Sequence, residues 1–432
     1  MPLFRRKVDE PAPVREPAWP PLPTPVPDLG QARSLAAHRD FILGLVQPLM
    51  PFGMALVDAV GLQVSESIHA DAPVPSFDMA SVDGYAVRAA DVRGATASTP
   101  VRLPIDGQVW AGDDALPPMT ARMIRAGQGL PIGADTVVAL GAAEGDADSV
   151  TISSALRGQN VCDEGSDIDE GELLVEKGTV LDPALVAALA ASGIDKVLVR
   201  PRPRVVVVAV GSELAAPGRG LRPGEKYDAD SYVLAAAAKS LGAEVWRVGI
   251  VRDQVDEVRQ VLADQQIRAD LIVVSGGLSG GPDSTVATAL QDLGPFDVAE
   301  VALEPGGWQG FGILGDDEVP VIMVPGDPVS AYVAFQAFVR PAILQLMGAE
   351  PVLPETYVAK ASRSITSTPG VLELRRALAA DEAAGLVVSP VGTGHAPLFV
   401  SELPQANALL LLGPETDFVA AGDDVDLWLL DD

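Results

Sequence analysis

Positive charge is scarce in this chain of 432 residues. Thirty Lys and Arg stand against 59 Asp and Glu, a formal net charge of -29. A field of that sign repels nucleic acid and anionic lipid, so neither is an expected partner. Cysteine is nearly missing. Cys162 stands alone, which excludes an internal disulfide framework and a cysteine-built zinc site. His38, His69 and His395 are the only histidines, which argues against a histidine-rich metal centre. Long apolar runs are missing too. Stretches such as Val205–Val210 are short, none reads as long enough to cross a bilayer, and the first residues carry no signal-peptide core. The expectation is a soluble, cytoplasmic protein.

What is present is globular material. Hydrophobic residues make up 48% and charged residues 21%, and the length is too great for one core, so three or four domains are expected. The first 30 residues are different. Nine prolines lie from Pro2 to Pro27, a density that favours extended polyproline II and builds no core. This Pro-rich tail reads as disordered, with a second partner as its possible use.

Ser34 is a plausible N-cap, and Leu35, Phe41, Leu45 and Val46 recur at near-helical spacing. Residues 68–168 are rich in turn signals and read as β. Asp182 to Ser192 reads as a helix stopped by Gly193. From about 203 the pattern alternates. Strands are expected at Val205–Val210, Glu244–Val248, Leu271–Val274 and Val321–Val324. Helices are expected at Asp230–Leu241, Asp253–Asp264 and Val329–Met347. Apolar strands separated by helices argue for a parallel sheet covered on both faces. After about 350 short strands return.

Two motifs fall where such a sheet binds ligands, at the carboxyl ends of its strands. Ser275-Gly-Gly-Leu-Ser-Gly-Gly281 follows one buried strand, and its glycines let backbone N–H groups approach an anion. Pro325-Gly-Asp-Pro328 follows another. Gly276, Gly277, Ser279, Gly281, Pro325, Gly326, Asp327 and Pro328 are therefore candidate ligand-binding residues. Upstream, Val82-Asp-Gly-Tyr-Ala86 offers Asp83 as a substrate-positioning or Mg²⁺-binding carboxylate, or else a plain Asp-Gly turn.

These pieces, in this order, resemble the MoeA family of molybdenum insertases, to which the E part of gephyrin belongs. Pro75-Ser-Phe-Asp-Met-Ala-Ser-Val-Asp-Gly-Tyr-Ala86 is similar to the family signature, as are Gly165-Ser-Asp-Ile168, Gly211-Ser-Glu-Leu214, Tyr227-Asp-Ala-Asp230 and Gly392-Thr-Gly394. The resemblance spans roughly residues 34 to 432. It implies an α/β multidomain fold: an elongated four-domain subunit with a doubly wound, MogA-like central domain, a β-rich inserted domain and a small C-terminal β-barrel domain. The implied divisions are 31–67 with 169–200, 68–168, 201–349 and 350–432. It implies a homodimer and, for an active member, transfer of molybdenum from molybdate to adenylated molybdopterin with Mg²⁺. The implied catalytic residues are Asp83, Asp167 and Asp228. Thr393 joins the ligand-binding set, and Asp83 and Glu213 are the Mg²⁺ candidates.

Departures from that pattern point in one direction. The family's loop Lys-Pro-Gly-Lys-Pro becomes Glu304-Pro-Gly-Gly-Trp308, within a stretch that reads as a loop from Val301 to Gly312. A unit charge pair about 4 Å apart is worth roughly 4 kcal/mol at an effective dielectric of about 20, so losing two lysines is expected to weaken phosphate binding severely. The favoured expectation is a non-catalytic dimeric scaffold; within this family gephyrin clusters receptors through its E domain, and a corynebacterial gephyrin-like protein acts in cell division through the tail of FtsZ. By the same resemblance Phe41 falls where gephyrin places an aromatic that holds its receptor loop, so it would anchor a short peptide such as the FtsZ tail at the division site, or else be an ordinary core residue. The alternative is an active molybdopterin molybdenumtransferase.

Overall fold

The computed structural model describes residues 19–28, 31–106, 115–383, 385–392 and 398–430. Most of the Pro-rich tail, and Thr393, lie outside the described residues. The chain falls into two compact units. One is Pro51–Arg200, and the other joins the residues up to Met50 with those from Pro201 onward.

The unit Pro51–Arg200 is mostly short antiparallel strands. Gly84–Val87 pairs with Arg122–Ile124 on one side and Thr136–Ala139 on the other. Asp83-Gly84 is thus the entry to a strand and not a turn. Gly84 is required there because a Cβ would sit 2.2 Å from the Val138 carbonyl oxygen. The expected helix is Pro183–Ala191. Asp182 caps it by accepting a 2.8 Å bond from the Leu185 N–H, and Gly193 ends it at φ +90.

In the other unit, the helix Leu35–Leu45 starts at Ser34, whose hydroxyl accepts from the Ala37 N–H. The α/β domain then runs β1 (Arg204–Ala209), α1 (Asp230–Ser240), β2 (Glu244–Arg247), α2 (Val255–Gln265), β3 (Leu271–Ser275), α3 (Thr285–Leu290), β4 (Phe296–Val301), β5 (Gly307–Leu314), β6 (Val319–Val324) and α4 (Pro328–Ala334). The sheet order is β2-β1-β3-β6-β5-β4. The first four strands are parallel, and β5 and β4 add an antiparallel edge. Alternate residues divide the core. Val205, Val207, Leu271 and Val273 pack with Leu234 of α1, whereas Val206, Val208, Ile272 and Val274 pack with Val258 and Leu262 of α2. Strands buried on both faces are what a doubly wound sheet requires.

Two expectations change. Val301–Gly312 is not an open loop; β4 and β5 form a hairpin in which Val301 pairs with Gly307. The helical run Pro328–Met347 is long and apolar enough to cross a bilayer, but 78% of it is buried inside the protein. Its apolarity is used in the core, around the π-helical turn Phe335–Val339.

The C-terminal strands Tyr357–Ala361, Leu372–Glu382, Gly385–Pro390, Ala408–Leu412 and Asp424–Leu429 close into a five-stranded barrel. Closure leaves no open edge among them.

Candidate functional site

The carboxyl ends of β1, β3 and β6 open into a cleft of about 370 Å³. Both glycine loops line it, through Gly276, Gly277, Ser279, Pro325 and Gly326. The glycines are sterically required. Gly276 has φ +83, and a Cβ on it would stand 2.3 Å from the Val210 carbonyl oxygen. Gly277 has φ +66, and a Cβ on it would stand 2.6 Å from Val286 Cγ2. Among the described residues, the backbone N–H groups of Gly277, Leu278, Ser279 and Gly280 donate to no protein acceptor. Consecutive unspent donors at a glycine-rich strand end are the backbone arrangement that receives anionic oxygens.

Charge in the cleft is mixed. Lys226 is the single cation among the described lining residues, beside Glu213, Asp230 and Asp253. Its Nζ lies 3.4 Å from the Gly326 carbonyl oxygen and 3.4 Å from Glu213 Oε1. Asp230, at the start of α1, is 5% exposed and accepts a 2.9 Å bond from the Ser275 hydroxyl. Burial pushes its pKa up to about 6, against the pull of the Ser275 bond and Lys226, with Asp228 and Asp327 adding to the rise. Trp308 forms a wall and lies over Gly281, whose added Cβ would meet the indole at 2.6 Å.

The other expected residues are spread more widely. Asp228 is buried. It accepts from the Ser231 N–H at 3.0 Å and from the Ser231 hydroxyl, with Arg247 at 3.8 Å, so it is tied to the first turn of α1 and does not line the cleft. Asp327 caps α4, accepting from the Ser330 N–H at 2.9 Å, with Pro328 in the first turn. Asp83 and Asp167 are exposed residues of the unit Pro51–Arg200; Asp83 accepts from the Ala126 N–H at 2.9 Å. Glu304 does not line the cleft. It pairs in a short parallel strand beside Glu373 of the barrel. Gly307 has φ +90, a conformation that suits glycine and strains lysine.

Phe41 is a core residue and not an open groove anchor. It is 8% exposed, packs edge to face on Phe311 at 5.5 Å and lies 5.8 Å beneath the Arg33 guanidinium. The helix face that carries it is covered by the sheet and by the π-helical turn.

No group of three or more His, Cys, Asp or Glu among the described residues is arranged to hold a metal ion. Asp83 and Glu213 belong to different units. These side chains do not by themselves build the six-oxygen shell that Mg²⁺ demands.

Sequence reasoning missed Lys226, Asp230, Asp253 and Trp308 as lining residues. The one available signal was the charge pair Lys226 and Asp230 flanking the Tyr-Asp motif.

The α/β domain is a doubly wound module with a cleft at the carboxyl ends of its parallel strands. Residues 206–345 match a family described as a probable molybdopterin binding domain. The flanking parts match the MoeA N-terminal region (domain I and II) over residues 33–193 and the MoeA C-terminal region (domain IV) over 358–430. The chain therefore belongs to the MoeA family. It is 35% identical over 413 residues to molybdopterin molybdenumtransferase 2 of Mycobacterium tuberculosis, covering 92% of this chain and 99% of that one. It is 36% identical over 403 residues to molybdopterin molybdenumtransferase 1 of the same organism, covering 88% and 95%. Its fold is similar to a molybdopterin biosynthesis MoeA protein from Pyrococcus horikosii, with TM-score 0.75, 27% identity and coverage of 92% and 99%.

Proposed function

We propose that this chain is a molybdopterin molybdenumtransferase whose cleft holds a phosphate-bearing pterin, with molybdate as the second substrate. The observation that carries the reading is the run of backbone N–H groups from Gly277 to Gly280 without protein acceptors, opposite Pro325-Gly326. Preorganised backbone donors stabilise anionic oxygens without reorganising. The relatives named molybdopterin molybdenumtransferase support the same reading. Glu304 and Gly307, where the resemblance led us to expect lysines, weigh less against it because Glu304 lies outside the cleft lining. The chain would act as a homodimer in the cytoplasm.

The test is molybdenum insertion by the purified protein with adenylated molybdopterin, molybdate and Mg²⁺, beside a relative as control. Turnover within about tenfold of the control supports the reading. Binding of neither pterin nor molybdate ends it. Light scattering of the same sample reads the dimer.

A second reading has its own observation. A groove of about 700 Å³ lies between Val233 and Leu241 of the α1 region, Tyr332 and Phe335, and Leu403-Pro404 beside the barrel. Ser240, Gln336 and Arg340 also line it, and a mixed groove of this kind suits a short peptide with a few aliphatic or aromatic anchors and some polar contacts. A peptide-binding scaffold for the FtsZ tail would use it in place of Phe41. Fluorescence anisotropy of a labelled tail peptide decides the matter; no saturation removes this reading.

A further inference from the structure

Among the described residues, the cleft lining has one cation and three carboxylates. Lys226 enters from the short strand Lys226–Tyr227, which pairs in parallel with Leu214–Ala215. Glu213 and the Gly326 carbonyl oxygen each lie 3.4 Å from its ammonium. Glu213, Asp230 and Asp253 supply the opposing charge. A diphosphate that comes to the glycine loop meets this excess of negative charge at close quarters.

Asp230 differs from the other two carboxylates. Glu213 is ion-paired and half in solvent, and Asp253 is exposed. Asp230 is buried at the junction of both glycine loops. The Ser275 hydroxyl reaches it from the end of β3, and it feels the charges of Asp327 in the loop after β6, of Asp228 in the same turn and of Lys226 in the preceding strand. A carboxyl so placed is costly to ionise, and a phosphate brought alongside makes ionisation costlier. Protonated, it changes from an acceptor that repels phosphate to a donor that can bond it.

We propose that Lys226 is the phosphate-contacting cation of this cleft and that binding of a diphosphate ligand is coupled to uptake of one proton from solution by Asp230. This rests on the cleft reading given above, which already implies a diphosphate diester as the ligand. The pKa of about 6 in the free cleft places the transition within the range a cell experiences. The sign follows from linkage. The bound state holds the proton more tightly than the free state, so affinity is highest below about pH 6 and falls as pH rises above it, by up to about tenfold per pH unit.

The probe is ADP-ribose, a diphosphate diester whose phosphate charge stays constant between about pH 5 and about pH 8. Calorimetric titration of the full chain, in buffers of different ionisation enthalpy, reads affinity and protons together. Wild type is expected to take up close to one proton per ligand near neutral pH. Asp230→Asn is expected to bind without proton uptake and with a flat pH profile. Lys226→Gln is expected to weaken binding about tenfold or more at every pH. Proton uptake near zero in wild type overturns the coupling and requires no variant to fold. A slope that survives in Asp230→Asn, or unchanged affinity in Lys226→Gln, overturns the assigned residue. If the chain binds molybdopterin but ADP-ribose binding shows no proton uptake, this inference fails and the function stands. If ADP-ribose binds with uptake but molybdopterin does not bind, the function fails and the inference stands. Binding of neither overturns both.

Discussion

Gly276 and Gly326 stand back to back in the lining of the cleft: a Cβ added to Gly326 would lie 2.9 Å from the Gly276 Cα. Two loops on neighbouring strand ends touch through bare backbone, so neither can shift alone. Gly326→Ala is expected to cost about 1–3 kcal/mol of stability through overpacking and to weaken diphosphate binding. Gly276→Ala is expected to be worse, because φ is +83 and the Val210 carbonyl oxygen lies 2.3 Å from the new carbon. Urea unfolding of both variants checks the order.

Phe41→Ala is expected to cost about 3–5 kcal/mol, as loss of a buried aromatic does. The ring contacts Phe311 and belongs to the cluster that includes Phe335 and Phe338. Unchanged stability in denaturant unfolding would mean the ring is not core and would restore it as a surface anchor.

His38 gives acid sensitivity to the same cluster. It is 0% exposed, neither ring nitrogen has a protein partner, and Phe338 packs edge to face at 5.1 Å. Burial, helped by the charge of Arg33, lowers its pKa from 6.5 to about 3. A depressed histidine contributes stability that is present above its unfolded pKa and is lost as pH falls toward the folded value. Stability is therefore expected to drop below about pH 6.5 by up to about 1.4 kcal/mol per pH unit. In His38→Met that part of the slope should vanish. The measurement is urea unfolding of both proteins between about pH 4 and about pH 8.

Glu373 is a buried hub of the barrel. It accepts from Arg375 Nε at 2.5 Å and from the Ser367 hydroxyl at 2.9 Å. Glu373→Ala leaves the Arg375 guanidinium, itself 4% exposed, without its counter-charge. A loss of about 3–5 kcal/mol is expected, with ADP-ribose affinity of the folded protein unchanged. Thermal unfolding and calorimetry on one preparation read both.

The parts legible in the sequence were those set by local chemistry. Runs of β-branched residues marked β1, β3 and β6, and glycines marked the cleft loops, those of Gly276–Gly281 through positive φ and Gly326 through its close approach to Gly276. Helix starts at Ser34 and Asp182 were readable because a capping side chain sits three residues from the N–H it accepts. The hairpin of β4 and β5 was hidden because Gly307, Gly310 and Gly312 erase the alternation that betrays a strand. Lys226 reaches the cleft through a parallel pairing with Leu214–Ala215, and Asp230 is buried against Ser275, 45 residues away. The cover over Phe41 comes from residues near 311 and 338. None of these long-range partners is written in a local pattern, so charge and burial at those positions had to come from the fold.

The interruption between Met50 and Pro201 also orders events during synthesis. The helix Leu35–Leu45 leaves the ribosome early, yet the side chains that cover it, Phe311, Phe335 and Ile343, are made some three hundred residues later. The intervening stretch Pro51–Arg200 carries its own cluster around Leu56, Leu181 and Leu189 and can close on itself first. The nascent chain must therefore shelter an apolar helix through most of translation. Slow elongation past residue 201 would lengthen that exposure, and early chaperone capture of this one helix would shorten it.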